Sequence, residues 1–270
     1  MRQIFPAEAA DGPIGSVQPG GAGLAEVARL YAYPAPGSPP GRPWVRANMV
    51  ASADGAATAQ GQSGALSGDA DRQVFSVLRS LADVILAGAG TVRAERYRPV
   101  RPAEAWAELR QGRPPTPPIA VVTRLLDLDP ESPLLAGAPR HARTIVLTTE
   151  AAPADRRAAA ARHADVIVAG RELLSPAAVL GALAELGHQR ILIEGGPHLL
   201  GQVAAAGLLD ELCLTVSPLL AGGRAGRILA AGATGGDDVP IPAAQAGLRL
   251  AHVLTDSGYL LCRYLRQDES

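Results

Sequence analysis

The chain has 270 residues, 47% hydrophobic and 19% charged, so it can bury a sizeable core and is not a disordered polymer. A formal net charge of −1 leaves no basic footprint for nucleic acid or an anionic membrane surface. Apart from five histidines every basic side chain is arginine, and with no lysine there is neither a Schiff-base amine nor a P-loop cation.

Residues 1–43 are rich in Gly and Pro, interrupted by LAEVARLYAYP (24–34), which reads as a helix. This part is expected to be an extension packed on a domain spanning 44–270. From Trp44 the pattern changes: WVRANMVA (44–51) reads as a strand, and Asp54-Gly55 follows as a turn. GDADRQVFSVLRSLAD (68–83) has Phe75, Leu78 and Ala82 at helical spacing, and DVILAG (83–88) is a short buried strand. Residues 101–118 form a Pro-rich connection with one helical turn around Trp106. Three apolar strands follow: IAVVT (119–123), TIVLTT (144–149) and DVIVA (165–169). In SPAAVLGALAELG (175–187), Ser175 suits the N-cap, Pro176 the first turn and Gly187 the stop. Then come ILIE (191–194), a helix over 197–206, and DELCLTV (210–216). Two strands at about 248–255 and 259–265 join through Asp256-Ser257-Gly258, a hairpin signal. The alternation predicts a largely parallel α/β sheet covered on both faces, with the C-terminal hairpin adding antiparallel edge strands.

The first functional signal is the exit from ILIE through Gly195-Gly196-Pro197. Small residues at a helix start present free amides and the positive end of the helix dipole, where phosphate binds. Proline loses nothing at the first helical position. An ordinary tight turn would use the same residues. A second exit has the same form: DVILAG runs into Gly88-Ala89-Gly90-Thr91 and a short helix. It is not the Rossmann fingerprint, because the third glycine is missing. Two such crossings in one sheet suggest a ligand with two charged parts, such as a dinucleotide across the strand ends.

Asp71 shares a helix face with Phe75 and Leu78. It either caps the helix or is a partly buried acid that hydrogen-bonds or protonates a nitrogen heterocycle. Asp54 is a second proton-handling candidate. Arg79, Arg93, Arg96 and Arg101 could hold phosphates. Cys213 and Cys262 sit in apolar runs and read as structural thiols. The histidines have no metal-ligand spacing, so no metal is expected. MRQIFPAEAADG has no apolar leader, and no run approaches a membrane span, so a soluble, cytoplasmic protein is expected.

ANMVASADGAATAQGQSGALSG, VFSVLRSLADVILAGAGTVRAE and ILIEGGPHLLGQVAAAGLLDELCLTVSPLLAGG, in this order, resemble the reductase domain of bacterial riboflavin biosynthesis. The resemblance covers about residues 44–265 and implies a dihydrofolate-reductase-like αβα fold. It implies an NADPH-dependent 5-amino-6-(5-phosphoribosylamino)uracil reductase, acting by hydride transfer to a C=N bond, and a homodimer. By motif, Ser63, Arg79 and Arg101 would touch the substrate with Glu194 beside it. Gly88, Gly90, Thr91, Glu95 and the run Gly195, Gly196, Pro197, His198, Leu199, Leu200, Gly201 and Gln202 would line NADPH. Thr123 and Arg124 would meet the adenosine 2′-phosphate. The resemblance also implies a cis peptide between Gly195 and Gly196. The H-x-E and P-C-x-x-C motifs of the zinc deaminase domain that precedes many such reductases are absent. The resembled reductases usually lack an acid at Asp71, where dihydrofolate reductases place a pterin-binding carboxylate. A dihydrofolate or dihydropterin reductase using Asp71 is therefore the alternative, and a non-catalytic NADP-binding sensor the second.

Overall fold

Seven of the apolar runs line up as one parallel array. In this computed structural model, which describes residues 1–6, 13–15, 17–18, 20–35, 40–110, 112–230 and 247–267, the strands are β1 (Arg2–Phe5), β2 (Trp44–Ser52), β3 (Val84–Gly88), β4 (Ile119–Val122), β5 (Ile145–Thr148), β6 (Asp165–Val168), β7 (Arg190–Ile193), β8 (Glu211–Ser217), β9 (Leu248–Asp256) and β10 (Tyr259–Arg266). The helices are α1 (Ala22–Leu30), α2 (Asp69–Leu81), α3 (Ala89–Ala94), α4 (Pro133–Ala136), α5 (Ala154–Ala161), α6 (Pro176–Glu185) and α7 (Pro197–Ala205). Short 3-10 turns at Pro102–Glu104 and Ala107–Leu109 flank Trp106. Among the described residues no helix is long and apolar enough to cross a membrane.

The sheet order is β1-β9-β10-β8-β2-β7-β3-β4-β5-β6. From β8 to β6 every pairing is parallel. The strands alternate between two cores, as a sheet buried on both faces must. Ile85 and Ala87 face the cluster that includes Val27 of α1 and Val77 of α2; Val84 and Leu86 face Leu183 of α6 and Val203 of α7. Burying such a side chain contributes roughly 1.5–3 kcal/mol, which short strands without helix-forming periodicity need in order to persist.

The hairpin β9–β10 turns at Ser257 (φ 50°) and Gly258 (φ 83°), both left-handed, the form that matches strand twist in a two-residue loop. It lies at the antiparallel end of the sheet, but β1 pairs outside it and takes the outermost place. β1 carries no local signal: four residues, bounded by proline, whose pairing partner is some 250 positions away.

At the N-terminal ends of the parallel strands a charge cluster is sealed inside. The Arg46 and Glu211 side chains are both 0% exposed, with Arg46 Nε 2.8 Å from Glu211 Oε1. Arg46 Nη2 donates to Glu211 Oε2 (2.9 Å) and to the Tyr31 carbonyl (2.7 Å). Arg263 Nε donates to Glu211 Oε1 (2.7 Å), while its other nitrogens reach the Leu30 and Ala32 carbonyls. Both guanidiniums thus satisfy the carbonyls left open at the end of α1. Burial alone would raise the Glu211 pKa, but the two arginines outweigh it and hold the carboxyl below its ordinary value.

Candidate active site

Parallel strands end together, and the two glycine exits are neighbours there because β7 and β3 pair directly. The Gly88 amide donates to the Gly195 carbonyl at 3.0 Å. The Gly195–Gly196 peptide is cis, and Gly195 has φ +106°. A Cβ on Gly196 would lie 2.4 Å from Thr91 Oγ1, so only glycine lets the two crossings pack this closely. Gly196 is the N-cap of α7 without a side-chain cap, and Pro197 occupies the first turn.

These exits border a cavity of about 1110 Å³. Gly88, Gly90, Thr91 and Glu95 line one side, Gly195 through Leu199 and Gln202 another, and Thr123 with Arg124 the end of β4. Leu200 and Gly201, expected in this lining, are corrected by the structure. Leu200 is 1% exposed and packs in the core with Val203, because the helical period turns positions 200 and 201 inward and returns Gln202 to the cleft. The Arg124 carbonyl accepts from the Thr148 and Thr149 hydroxyls, which fixes the backbone at the end of β4.

A second cavity, about 680 Å³, adjoins the first. Asp71, Phe75 and Arg79 line it from successive turns of α2, while Val74, Val77 and Leu78 of the same helix face the core. Ser63 and Tyr97 also line it, and Arg72, Arg96, Arg98 and Arg101 bring four cationic side chains to it. Arg101 is 77% exposed at the rim, paired with Glu104 at 2.6 Å. Met49, Ala57, Ser63, Glu95 and Glu194 line both cavities and mark the border between them.

At this border Glu194 is held on three bonds. Arg79 Nε and Nη2 each donate to one of its oxygens at 2.8 Å, and the Tyr97 hydroxyl donates at 2.8 Å. Arg79 lies over the Phe75 ring, 4.2 Å from its centroid. Burial and the neighbouring Glu194 charge drive the Tyr97 hydroxyl pKa upward, so it stays protonated and donating. Glu95 accepts from the Ser63 amide and hydroxyl, both at 2.9 Å. Asp71 is only 6% exposed, and among the described residues no hydrogen bond or ion pair reaches its carboxylate.

Asp54 does not join them. It is exposed, lines neither cavity, and ties a loop: it accepts from the Ser52 hydroxyl and from the Ala221 and Gly222 amides at 3.0 and 2.8 Å. The hydroxyl first, then the amides, pull its pKa down to about 2, so it holds no proton to give near neutrality. Tyr97, Arg98 and Met49 were not singled out by sequence. RAERYRPVR does show a basic run after the second glycine exit, but nothing local marks Tyr97 as the partner of a glutamate 97 positions away.

The RibD C-terminal domain family matches residues 43–258. The chain is 32% identical over 186 residues to a 2,5-diamino-6-ribosylamino-4(3H)-pyrimidinone 5′-phosphate reductase of Archaeoglobus fulgidus, covering 68% of this chain and 84% of that one. It is 31% identical over 192 residues to the protein of the same name from Methanothermobacter thermautotrophicus, covering 71% and 85%. A crystal structure of a pyrimidine reductase-like protein from Corynebacterium diphtheriae superposes with a TM-score of 0.76 over 90% of this chain and 99% of that one, and at 24% identity this likeness is one of fold.

Proposed function

The chain belongs to the RibD C-terminal domain family, and we propose that its two adjoining cavities make it an NADPH-dependent reductase of a pyrimidine ribotide. The observation that carries the reading is the packing of two glycine exits against each other at the strand ends, beside a chamber lined by five arginines.

The larger cavity fits a dinucleotide. Backbone at Gly90, where nothing lies within 4 Å of a Cβ position, admits a pyrophosphate, the packing of Gly88, Gly195 and Gly196 against Thr91 and each other brings the two exits together beside it, and α7 offers its positive end. Arg124, in the lining just past the end of β4, suits an adenosine 2′-phosphate and so favours NADPH over NADH. When bound, the reduced nicotinamide supplies a hydride. The chain's own part is orientation and proton management. Arg72, Arg96, Arg98 and Arg101 hold the 5′-phosphate of the ribotide. Opening the ribosylamine breaks the C1′–O4′ bond, passes the N–H proton to O4′ and leaves a C1′=N double bond in the substrate. One hydride to C1′ and one proton to the nitrogen complete the ribitylamine, and NADP⁺ leaves. Ser63, Glu95 and Glu194 stand where the cavities meet and keep the reacting carbon at the border. The Tyr97 hydroxyl and Arg79 fix Glu194 in place. Asp54 takes no part.

A pterin reading has the buried Asp71 in its favour. The arginines around the smaller cavity suit a ribotide phosphate, but they would also suit the glutamate carboxylates of dihydrofolate, so the substrate assay decides between the two. Cytoplasmic location and a homodimer belong to the same reading, and light scattering of the purified protein tests the latter.

NADPH oxidation with the pyrimidine ribotides and with dihydrofolate, side by side, decides among the alternatives. Steady oxidation with a ribotide and formation of a ribityl product support the proposal. Turnover of dihydrofolate alone moves the assignment to pterins, and no turnover with either leaves a nucleotide-binding sensor.

A further inference from the structure

One stretch of chain walls both cavities. The loop between β2 and α2 gives Thr58 and Gly61 to the larger cavity, Gly64 and Ser67 to the smaller, and Ala57 and Ser63 to both. Its two ends are fastened: the Ala57 amide donates to the Gly226 carbonyl at 2.8 Å, and Leu66 is 0% exposed. The middle is held differently. Ala59 and Gln62 exchange backbone bonds of 3.1 Å around Gln60 (φ 53°) and Gly61 (φ 81°), so the turn is satisfied within itself. Among the described residues the only hydrogen bonds that reach residues 58–65 from outside the loop end on Glu95. Its Oε1 accepts from the Ser63 amide and from the Ser63 hydroxyl, both at 2.9 Å. Glu95 directly follows α3, and its own amide donates to the Thr91 carbonyl at 2.9 Å. Thr91 is the residue packed against Gly196, so the oxygen that holds the loop is set by the glycine exits.

Resting on the functional reading above for what fills the cavities, we propose that Glu95 is a positioning residue that latches the shared loop in advance for both ligands. Two donors already use the lone pairs of its Oε1, which leaves that oxygen nothing for a ligand. Ordering a loop costs conformational entropy. A ligand that must order its own wall loses affinity by the fraction of molecules in which the wall is not yet in place. A latch within the protein removes that loss for the dinucleotide and the ribotide together. Without the latch the first ligand orders the loop and the second meets a completed wall, so the two come to favour each other. A residue that touches only the dinucleotide behaves otherwise: its loss weakens that ligand alone, with or without the ribotide.

Calorimetric titration of the ribotide and of NADP⁺, each alone and each with the other saturating, separates the two roles. NADP⁺ carries no hydride, so the ternary complex does not turn over. In Glu95→Ala each ligand alone is expected to bind roughly tenfold more weakly, the scale of a lost hydrogen bond to a charged group. With the partner ligand saturating, each is expected to return to within about twofold of the wild type, which raises the coupling between them by nearly the same tenfold. Glu95→Gln keeps a carbonyl oxygen for the two Ser63 donors and is expected to reverse most of both effects. A loss for NADP⁺ alone, with the ribotide affinity and the coupling unchanged, makes Glu95 a cofactor contact and overturns the proposal. So do wild-type affinities for both ligands in Glu95→Ala, or a glutamine variant as impaired as the alanine one. If the wild type binds NADP⁺ but no ribotide, the functional reading fails, and the latch is read in the ligand-free protein: amide exchange at Ala59 and Gln62 should be faster in Glu95→Ala and near wild type in Glu95→Gln, and unchanged exchange in the alanine variant overturns it. Should Glu95→Ala not fold, Ser63→Ala removes the hydroxyl bond alone and must show the same pattern at smaller size, or the proposal falls.

Discussion

The two ends of the parallel strands each hold a glutamate gripped by arginine, and they use it differently. At the N-terminal ends Glu211 is shared by Arg46 and Arg263, accepts from the Trp44 indole, and is 0% exposed. Every partner belongs to the protein, and the cluster closes on the carbonyls after α1. At the C-terminal ends Glu194 has one arginine and one tyrosine, and both cavities touch it. The same ion-pair chemistry fastens an N-terminal segment at one end and holds a carboxylate at the border of two cavities at the other. What separates them is access: a fully enclosed charge must be neutralised internally or the fold loses it, while a charge at a cleft can be left for a ligand to complete.

Matched substitutions are the hardest test of this contrast. Glu211→Gln leaves Arg46 enclosed without a countercharge and is expected to destabilise the fold by about 3–5 kcal/mol, read as a lower denaturant midpoint. Glu194→Gln leaves Arg79 with Glu104 at 3.7 Å as a remaining countercharge, so it is expected to cost less stability than Glu211→Gln and to lower kcat/KM by roughly a hundredfold or more, the scale of a misplaced acid–base group. Similar stability losses for the two variants would erase the distinction.

A second test uses pH. His252, 4% exposed, packs edge-on to Tyr31 with ring centroids 4.7 Å apart, and its Nε2 has no hydrogen-bond partner among the described residues. Burial first, then the charge of Arg263, lowers its pKa to about 4. The unfolded chain, with a histidine near 6.5, takes up the proton first. Stability is therefore full above pH 6.5 and falls as the pH drops from there toward 4, by about 3 kcal/mol across the window. His252→Leu should flatten that slope in urea titrations at successive pH values, and an unchanged slope would assign it to another group.

The smallest expected effect lies at the glycine exits. Gly196→Ala puts a methyl against Thr91 Oγ1, and the strain falls on the cleft rather than the core. KM for NADPH should rise roughly tenfold, the scale of about 1.4 kcal/mol of lost binding, with the melting temperature little changed. Thr91→Ala in the same chain should recover part of it. A fully additive double variant would place the two residues in independent roles.

The legible parts of this protein are those in which neighbouring residues carry the cause. Strands buried on both faces read as unbroken apolar runs, the hairpin as a left-handed dipeptide, and the cleft-lining exits as glycines after a strand. Leu200 and Gly201 belong to a continuous motif but leave the cleft lining, because a helix presents only part of such a run to one side. Asp54 looked available because its partners, Ala221 and Gly222, lie 167 and 168 positions away. Arg46 and Glu211 sit inside strand patterns 165 residues apart, and nothing local announces their pairing. Ala154–Ala161 of α5 passed unread because only Ala160 is buried on it, which leaves no apolar stripe to recognise.

The most direct measurement follows the hydride itself. With NADPH deuterated at the transferring C4 position and a pyrimidine ribotide as acceptor, mass spectrometry of the product should find one deuterium at C1′ of a ribityl chain. A ribityl product without the label, or NADPH consumed with no ribityl product formed, would contradict hydride transfer to that carbon at the border between the two cavities.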